Sequence, residues 1–580
     1  MTKNNNYLGF TIGPIVQTIA SAKKTGHAWG GSYIFSYIMK QMIIKLKEKK
    51  INKEDFEILT PYVEENFKDN KYNAGLFPDR CILKVSKDFN KEKFEEIKNK
   101  VLSELANKII SKNHDNELKV DISKNNAQKK VLMNYFQIYG VIKQFESKKD
   151  AINTLTEYLD SLELEPNYQS HNPCNIKNPL FKFFENNAIK SSFLAEDCFG
   201  EDTKNMIKSL PEIALGNFIK FNDIKIDNFK DLINGGKYNE IYKKCAGNKN
   251  FKKHYKYYAI LKADGDSVGK VLKNFLKEST NETKNNEDIV KYIEFSKKLF
   301  NFSKETVKII ENYGGLPIYI GGDDILAFVP LIYQDDTNNF KTIFGLIEDI
   351  DEKFDKKFGT GTINEKEIKP SLSYGLTINY YKYPLYEALN ESDNLLLEKA
   401  KKCIITPNLK DENKKYEKNA VALKILKHSG QEIQITLNKI KKDEKEQKSV
   451  YKIFKELLKI ISPKTEEEVK ENRKILQSFK TKIAKDGVIL NSLYNLYVNN
   501  GTNDFENNIK EFDNSIDNYF ENNFKKDVHK SNEKQINNIK NLLKACYYEY
   551  PYNNSKKENN AIETFERILR VLSFLNERGE

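Results

Sequence analysis

Two apolar, β-prone runs, IYI at 318–320 and ILAFVP at 325–330, are separated only by Gly321-Gly322-Asp323-Asp324. So short a connection joins antiparallel neighbours, which predicts a hairpin with the glycines in the turn and both carboxylates at its tip. Asp264 follows another predicted strand, YYAILKA (257–263), and is itself followed by Gly265-Asp266. With that strand and the hairpin side by side in one sheet, Asp264, Asp323 and Asp324 converge. Three carboxylates together are costly unless divalent cations neutralise them. Mg2+ or Mn2+ suits a few carboxylates plus substrate phosphates, and a pair of such ions is the arrangement for attack of a hydroxyl on an α-phosphate. These aspartates are therefore the candidate catalytic and metal-ligating set. The plainer alternative is a surface Gly-Asp turn beside an unrelated turn.

The order of elements around the hairpin favours the catalytic reading. After strand 257–263 come the turn DGDSVGK, a polar insert, and a long helix whose apolar residues Ile289, Ile293, Phe300, Val307 and Ile310 fall on one face. The hairpin is followed by a helix carrying Phe340, Ile343, Phe344, Ile347, Ile350 and Phe354, the strand SLSYGLTINY, a helix over 385–403 and the strand AVALKIL. This is the order of a palm domain. Upstream, Tyr7–Ile12 reads as a strand broken by Gly13-Pro14, and a helix from Ile15 into the forties is expected to be interrupted at Gly30-Gly31-Ser32. LMNYFQIYGVIKQF (132–145) reads as a strand before a helix at about 149–163.

The fold class expected is α+β. The divisions are an α+β region at 1–165, a small helical linker domain at 166–250, the palm at 251–428 and a C-terminal helical domain at 429–580. The runs at 406–418 and 437–449 are rich in Lys, Glu and Asp and are read as solvated.

Length agrees with that division, since 580 residues correspond to roughly four domains. The net charge of +12 tolerates a polyanionic partner, but only five basic residues are arginine, so no Arg patch argues for nucleic acid. Hydrophobic residues at 39% exclude a disordered chain. No apolar run is long enough for a membrane span, and the N-terminus lacks a leader pattern, so a cytoplasmic place and no membrane partner are expected. The six cysteines never form C-x-x-C, which argues against a disulfide framework and a zinc ribbon.

Around the carboxylates, a nucleotide site is placed at Gly265, Asp266, Ser267, Gly269 and Gly322. Its glycines let backbone amides near Ser267 approach phosphates, and Lys270 offsets their charge. Lys401, at the end of LEKAKK, either holds a triphosphate or stands in solvent. Ser373 either reads a base edge or is structural.

The ordered segments YYAILKADGDSVGKVL, IYIGGDDILAF, SLSYGLTINYYKYPLYEAL with LLLEKAKK, and AVALKILKHSG resemble the second palm of the type III-B CRISPR large subunit, the polymerase-like protein of the Cmr complex. FTIGPIVQTIASAKKTGHAWGGSYIFSYI resembles the family's first palm signature, and GLFPDR (75–80) its following segment. The likeness runs over about 7–430 and implies two ferredoxin-like palm domains of the nucleotide cyclase type, the first at 1–165 and the second at 251–428, with a thumb-like C-terminal domain. It implies a subunit of an RNA-guided complex, with guide CRISPR RNA, target RNA and other effector subunits as partners. It also implies adenylyl transfer from ATP to make a second messenger for antiviral signalling. The first palm, without a GGDD, is then expected to hold the acceptor at His27, Gly30, Gly31, Ser32 and Tyr33.

The chain departs from the family pattern in three ways. It opens on the first palm without an HD phosphohydrolase domain, so no HD nuclease activity is expected. The His114-Asp115 pair stands in a polar stretch and is read as coincidental. Zinc-binding cysteine pairs are missing, and His171 with Cys174, Cys198 and Cys245 has no paired spacing, which makes zinc an unfavoured ligand and leaves a degenerate site. His27 stands where the family usually has an acid. In relatives lacking the HD domain the acceptor is S-adenosylmethionine in some lineages, so the product is either a cyclic oligoadenylate or an AMP conjugate. Two other readings compete: a palm-fold scaffold with a dead site, and a stand-alone dinucleotide cyclase of the GGDEF type.

Overall fold

The computed structural model describes residues 5–48, 56–114, 122–164, 178–185, 187–201, 203, 206–226, 232, 236–248, 251–277, 282–334, 340–359, 369–405, 416–439, 449–460, 466–499, 505–524, 533–550 and 560–576. Its frame is two antiparallel-based sheets with the same inner order. In the first, β1 (Asn5–Gly13), β2 (Glu57–Thr60), β3 (Arg80–Val85) and β4 (Gln137–Phe145) lie in the order β2-β3-β1-β4. The second is built from β5 (Tyr257–Asp266), β6 (Leu316–Gly321), β7 (Asp324–Pro330) and, after the small hairpin β8 (Ile332–Gln334) and β9 (Phe340–Thr342), β10 (Ser371–Tyr380). Beyond the short pair β11 (Ile404–Ile405) and β12 (Tyr416–Glu417), β13 (Ala420–Leu426) and β14 (Glu432–Asn438) extend it to the order β14-β13-β10-β5-β7-β6. Each sheet thus contains the ferredoxin-like arrangement, in which a strand is followed by a helix, a connected strand pair, a helix and a last strand.

Alternation along β5 explains why the second sheet is covered on both sides. Tyr257, Ala259, Leu261 and Ala263 enter a core shared with helices Glu282–Asn312 and Ile343–Phe358. The C-terminal helices Val450–Ile460, Glu466–Tyr494, Phe505–Asn523, Glu533–Glu549 and Ala561–Asn576 contribute to that same core. Tyr258 and Ile260 face the other way, into a core with Trp29, Ile34 and Ile38 of helix Thr25–Glu48. That helix belongs to the first palm and packs on β6. No helix among the described residues is long and apolar enough to cross a membrane.

Several local expectations need correction. Helix Thr25–Glu48 runs unbroken through Gly30-Gly31-Ser32, because tertiary packing offsets the roughly 1 kcal/mol that each glycine costs. Residues 132–135 close helix Ile122–Tyr135 and the strand begins only at Gln137. The second sheet does not end at 428: EIQITLN pairs with β13 along its whole length, its alternating Ile433, Ile435 and Leu437 facing the core. The polar runs on either side hid that signal. Lys439, in the segment read as solvated, is buried and ion-paired to Asp351 at 2.6 Å.

Candidate active site

The hairpin tip and the end of β5 are brought together by register. Ala263 on β5 pairs with Ile325 on β7, and Gly321 pairs with Asp324 across the turn. Gly322 has φ of 72°, the left-handed region that glycine adopts freely. Its N–H donates to Ser303 Oγ at 2.9 Å, and that hydroxyl lies 3.1 Å from the Gly322 and Leu299 carbonyls. Helix Glu282–Asn312 therefore holds the turn from behind. Gly265 supplies the second condition: a Cβ there would collide with Asp323 Oδ2 and lie 2.8 Å from Asp323 Cβ. Without that atom, Asp323 closes onto the β5 end. Lys262, Asp264 and Asp266 share the strand face of Tyr258 and Ile260 and carry it past the apolar cover.

This packing leaves the carboxylates electrostatically stressed. Burial, then the neighbouring Asp264 charge, pushes Asp323 up to about 6, with Lys401 pulling the other way. Burial pushes Asp324 up to about 7, opposed by Lys262 and reinforced by Asp264, Asp323 and Asp79. Both keep a small opening to solvent although protein atoms surround them. Lys262, itself lowered by burial, ion-pairs with Asp393. Hard oxygen donors short of compensating charge suit a divalent cation, so the donor set fits the expected metal. Among the described residues, however, no three His, Cys, Asp or Glu side chains already stand together as a ligand cluster.

Lys401 contributes to that. Its Nζ lies 2.7 Å from Asp264 Oδ2 and 3.0 Å from Asp266 Oδ1, and it donates to the carbonyls of Asp264 at 3.0 Å and Gly265 at 2.7 Å. It is placed by a π-helical turn, Leu395–Ala400, through the Lys401 N–H to Leu396 carbonyl bond of 2.9 Å. The turn packs on β10 at Gly375, where a Cβ would lie 2.7 Å from Leu396 N. Lys401 is thus in the site, neither free in solvent nor away from the carboxylates.

The remaining nucleotide candidates divide. Asp266 is 4% exposed in its side chain, and its Oδ2 accepts from Ser371 Oγ (2.8 Å), Ser373 Oγ (2.7 Å) and the Asn419 N–H (3.0 Å). That makes Asp266 an internal anchor and Ser373, fully buried, its structural donor with no access to a base edge. Ser267 has φ of 65° and starts helix Val268–Phe275, leaving Gly269 and Lys270 exposed beside the β5 end.

The expected acceptor segment is placed differently from the sequence reading. His27 is 2% exposed between the rings of Phe181 and Phe184, at 5.5 and 5.4 Å. A Cβ on Gly30 would stand 2.8 Å from Phe184 Cδ1, and Gly31 backs onto Thr18. Ser32 is buried, and Tyr33 donates to Asp197 Oδ2 at 2.8 Å while stacking on Trp29. These residues pack the first palm against helices Pro179–Glu185 and Phe193–Phe199 instead of opening to solvent. Of the degenerate zinc set, His171 and Cys174 lie outside the described residues, and Cys198 and Cys245 are buried in different apolar clusters. His114 ends helix Lys91–His114 and Asp115 lies outside the described residues.

Sequence reasoning passed over Lys262, Ser303 and Asp79. Lys262 was findable, standing one pleat before Asp264 on the same strand face. Asp79 reaches the site because segment 74–79 runs along β6, with Gly75 bridging Tyr319 and the Ile320 N–H bonded to the Gly75 carbonyl at 3.1 Å. Nothing local marks that approach.

Comparison with known proteins gives matches in the regions of both sheets. The family model described as Cas10/Cmr2, second palm domain, matches residues 257–413, and that described as CRISPR-associated protein Cmr2, N-terminal, matches residues 7–113. The CRISPR system Cmr subunit Cmr2 of Pyrococcus furiosus is 33% identical over 191 residues, which cover 30% of this chain and 19% of that protein. The match thus spans less than a fifth of that relative. A chain of the type III-B Cmr-beta complex in its apo state superposes with a TM-score of 0.57 at 13% identity, over 100% of this chain and 82% of that one. In the same complex bound to cognate target RNA the values are 0.56, 12%, 99% and 83%. At such identities the likeness is one of fold.

Proposed function

We propose that the chain, which matches a Cas10/Cmr2 second-palm model and a Cmr2 N-terminal model, is the large subunit of a type III-B Cmr effector complex and transfers adenylate from ATP at its second sheet. The observation that supports this reading is the register that sets the Asp264 end of β5 beside the Asp323-Asp324 tip, inside the stretch that matches the second palm domain. Asp264, Asp323 and Asp324 are the residues to hold two Mg2+ or Mn2+ ions. When bound, such ions neutralise the α-phosphate and favour deprotonation of the attacking hydroxyl.

The chain's own groups do the rest. Gly265 lets Asp323 approach Asp264, and Ser303 keeps the turn from relaxing away. Lys401 sets an ammonium beside the same oxygens, where it offsets polyphosphate charge. The first turn of helix Val268–Phe275 has N–H groups without intrahelical partners, which suit phosphate oxygens. The acceptor is the 3′ end of a growing adenylate or S-adenosylmethionine. Guide RNA, target RNA and the other Cmr subunits are the partners in this reading, in keeping with the fold shared with the Cmr-beta complex.

The test is to incubate the reconstituted complex with labelled ATP and target RNA, with and without S-adenosylmethionine, and to weigh the product. An adenylate product that disappears in the Asp323→Ala/Asp324→Ala variant, with assembly intact, is the expected result. Undiminished product from that variant removes the active-site assignment, and a species made only of adenylate units excludes the conjugate.

A further inference from the structure

The four oxygens around Lys401 Nζ are more than a lysine needs for structural support, since an ammonium has three protons to donate. Two of the four belong to the carboxylates Asp264 and Asp266, and the lysine side chain is only 13% exposed. Those two carboxylates differ in freedom. Asp264 is 39% exposed, whereas Asp266 is 4% exposed and tied through Oδ2 to two hydroxyls and a backbone N–H. Asp266 is therefore committed to the fold, and its Oδ1 is spent on Lys401. Asp264 Oδ2 is the one contact of the ammonium that belongs to the expected metal site.

We infer that Lys401 is a resident counter-ion of the carboxylate site, kept in place by Asp266, and that a divalent cation has to take Asp264 Oδ2 from it before the site loads. This rests on the metal-dependent reading above and adds a competition to it. The competition has a physical basis: one carboxylate oxygen at 2.7 Å from an ammonium does not also give its full charge to a dication. Asp266 acts as a positioning residue. Once Asp264 turns to the metal, Asp266 Oδ1 and the two β5 carbonyls take up the three ammonium protons, and the positive charge stays beside the site. The same lysine thus neutralises the site in turn for aspartate and for nucleotide. The π-helical turn lying on Gly375 fixes the lysine backbone throughout.

The competition is read without turnover, by titrating the full chain with Mn2+ in the absence of nucleotide and following free Mn2+ by electron paramagnetic resonance. Lys401→Met is expected to bind Mn2+ about fivefold more tightly than the wild type, the scale of one partly buried ion pair. Lys270→Met removes an exposed charge from the neighbouring helix and measures the general field, and is expected to stay within about twofold of wild type. An affinity of Lys401→Met equal to or weaker than wild type overturns the proposal, as does an equal gain in Lys270→Met. Should thermal melting show Lys401→Met unfolded, Lys401→Gln keeps the side chain's length and polarity and is judged by the same criteria. Asp323→Ala/Asp324→Ala separates the two levels: if it binds Mn2+ as well as wild type does, the carboxylate metal site itself is wrong, whatever Lys401 does.

Discussion

The two sheets share a strand order and differ at the two places where chemistry would sit. In the first, β1 ends at Gly13 before Pro14, and 61–79 connects β2 to β3 as a long excursion that reaches the other sheet. In the second, β5 ends in Asp264-Gly265-Asp266, and β6 turns into β7 over a two-residue tip. Charge at the edge of the first sheet is settled locally, with Arg80 ion-paired to Asp160 and Glu163, and Thr11 donating to Glu163 at 2.6 Å. At the edge of the second, burial and then the crowding of carboxylates push Asp323 and Asp324 up, against the pull of Lys401 and Lys262. The comparison teaches that the fold supplies a platform twice, while the short turn and its crowded carboxylates make a site only once.

The largest effect expected from breaking that difference follows from the hairpin tip. Asp323→Ala/Asp324→Ala should lower adenylate formation by at least about a thousandfold, the scale of losing the groups that stabilise transition-state charge. Next comes Gly265→Ala, which gives β5 the Cβ that the Asp323 position excludes. A displaced carboxylate should cost about a hundredfold in turnover, with a smaller change in ATP affinity. Turnover equal to wild type would show that Asp323 need not lie against β5.

On the first sheet the same kind of change should act on stability instead. Gly30→Ala forces an atom to within 2.8 Å of Phe184 Cδ1 and 3.1 Å of Ile189 Cδ1. Overpacking of about 1–3 kcal/mol, partly offset by about 1 kcal/mol of helix propensity, should lower the melting temperature and leave transfer per folded molecule unchanged. Lost transfer at an unchanged melting temperature would return an acceptor role to that segment.

The smallest effect concerns how the second sheet holds the C-terminal helices. His254 is buried against helix Ala561–Asn576, with Nδ1 3.0 Å from the Leu575 carbonyl, and burial pushes it down to about 3, helped by the Lys252 charge. The unfolded chain takes up a proton near pH 6.5 that the folded one refuses, so stability is complete above that pH and falls as pH drops from 6.5 toward 3. At pH 5.5 the loss should be about 1 kcal/mol, seen in urea unfolding and absent from His254→Gln. An equal pH slope in that variant would assign the loss to other groups.

What the sequence determined by itself was whatever neighbouring residues dictate. The short Gly-Gly-Asp-Asp connection placed the glycines in a turn, the strand YYAILKA placed Asp264 at its end, and the order of strands and helices was legible from periodicity. The strand EIQITLN carried a clear alternation, but flanking charge runs masked it, and the sheet alone showed that β5 runs on through Asp266. Tertiary structure decided everything that depends on which distant segment covers a face. TGHAWGGSYIF reads as an interrupted helix until Phe181, Phe184 and Ile189 close over it, and then its glycines serve contact instead of a turn. Lys401 is an ordinary terminal lysine in its own helix, and becomes part of the site only because the π-helical turn lies on Gly375, across from residues 135 to 137 positions away. The reason is physical: backbone sterics and side-chain period act over a few residues, whereas burial and charge neutralisation depend on packing between segments that no local pattern specifies.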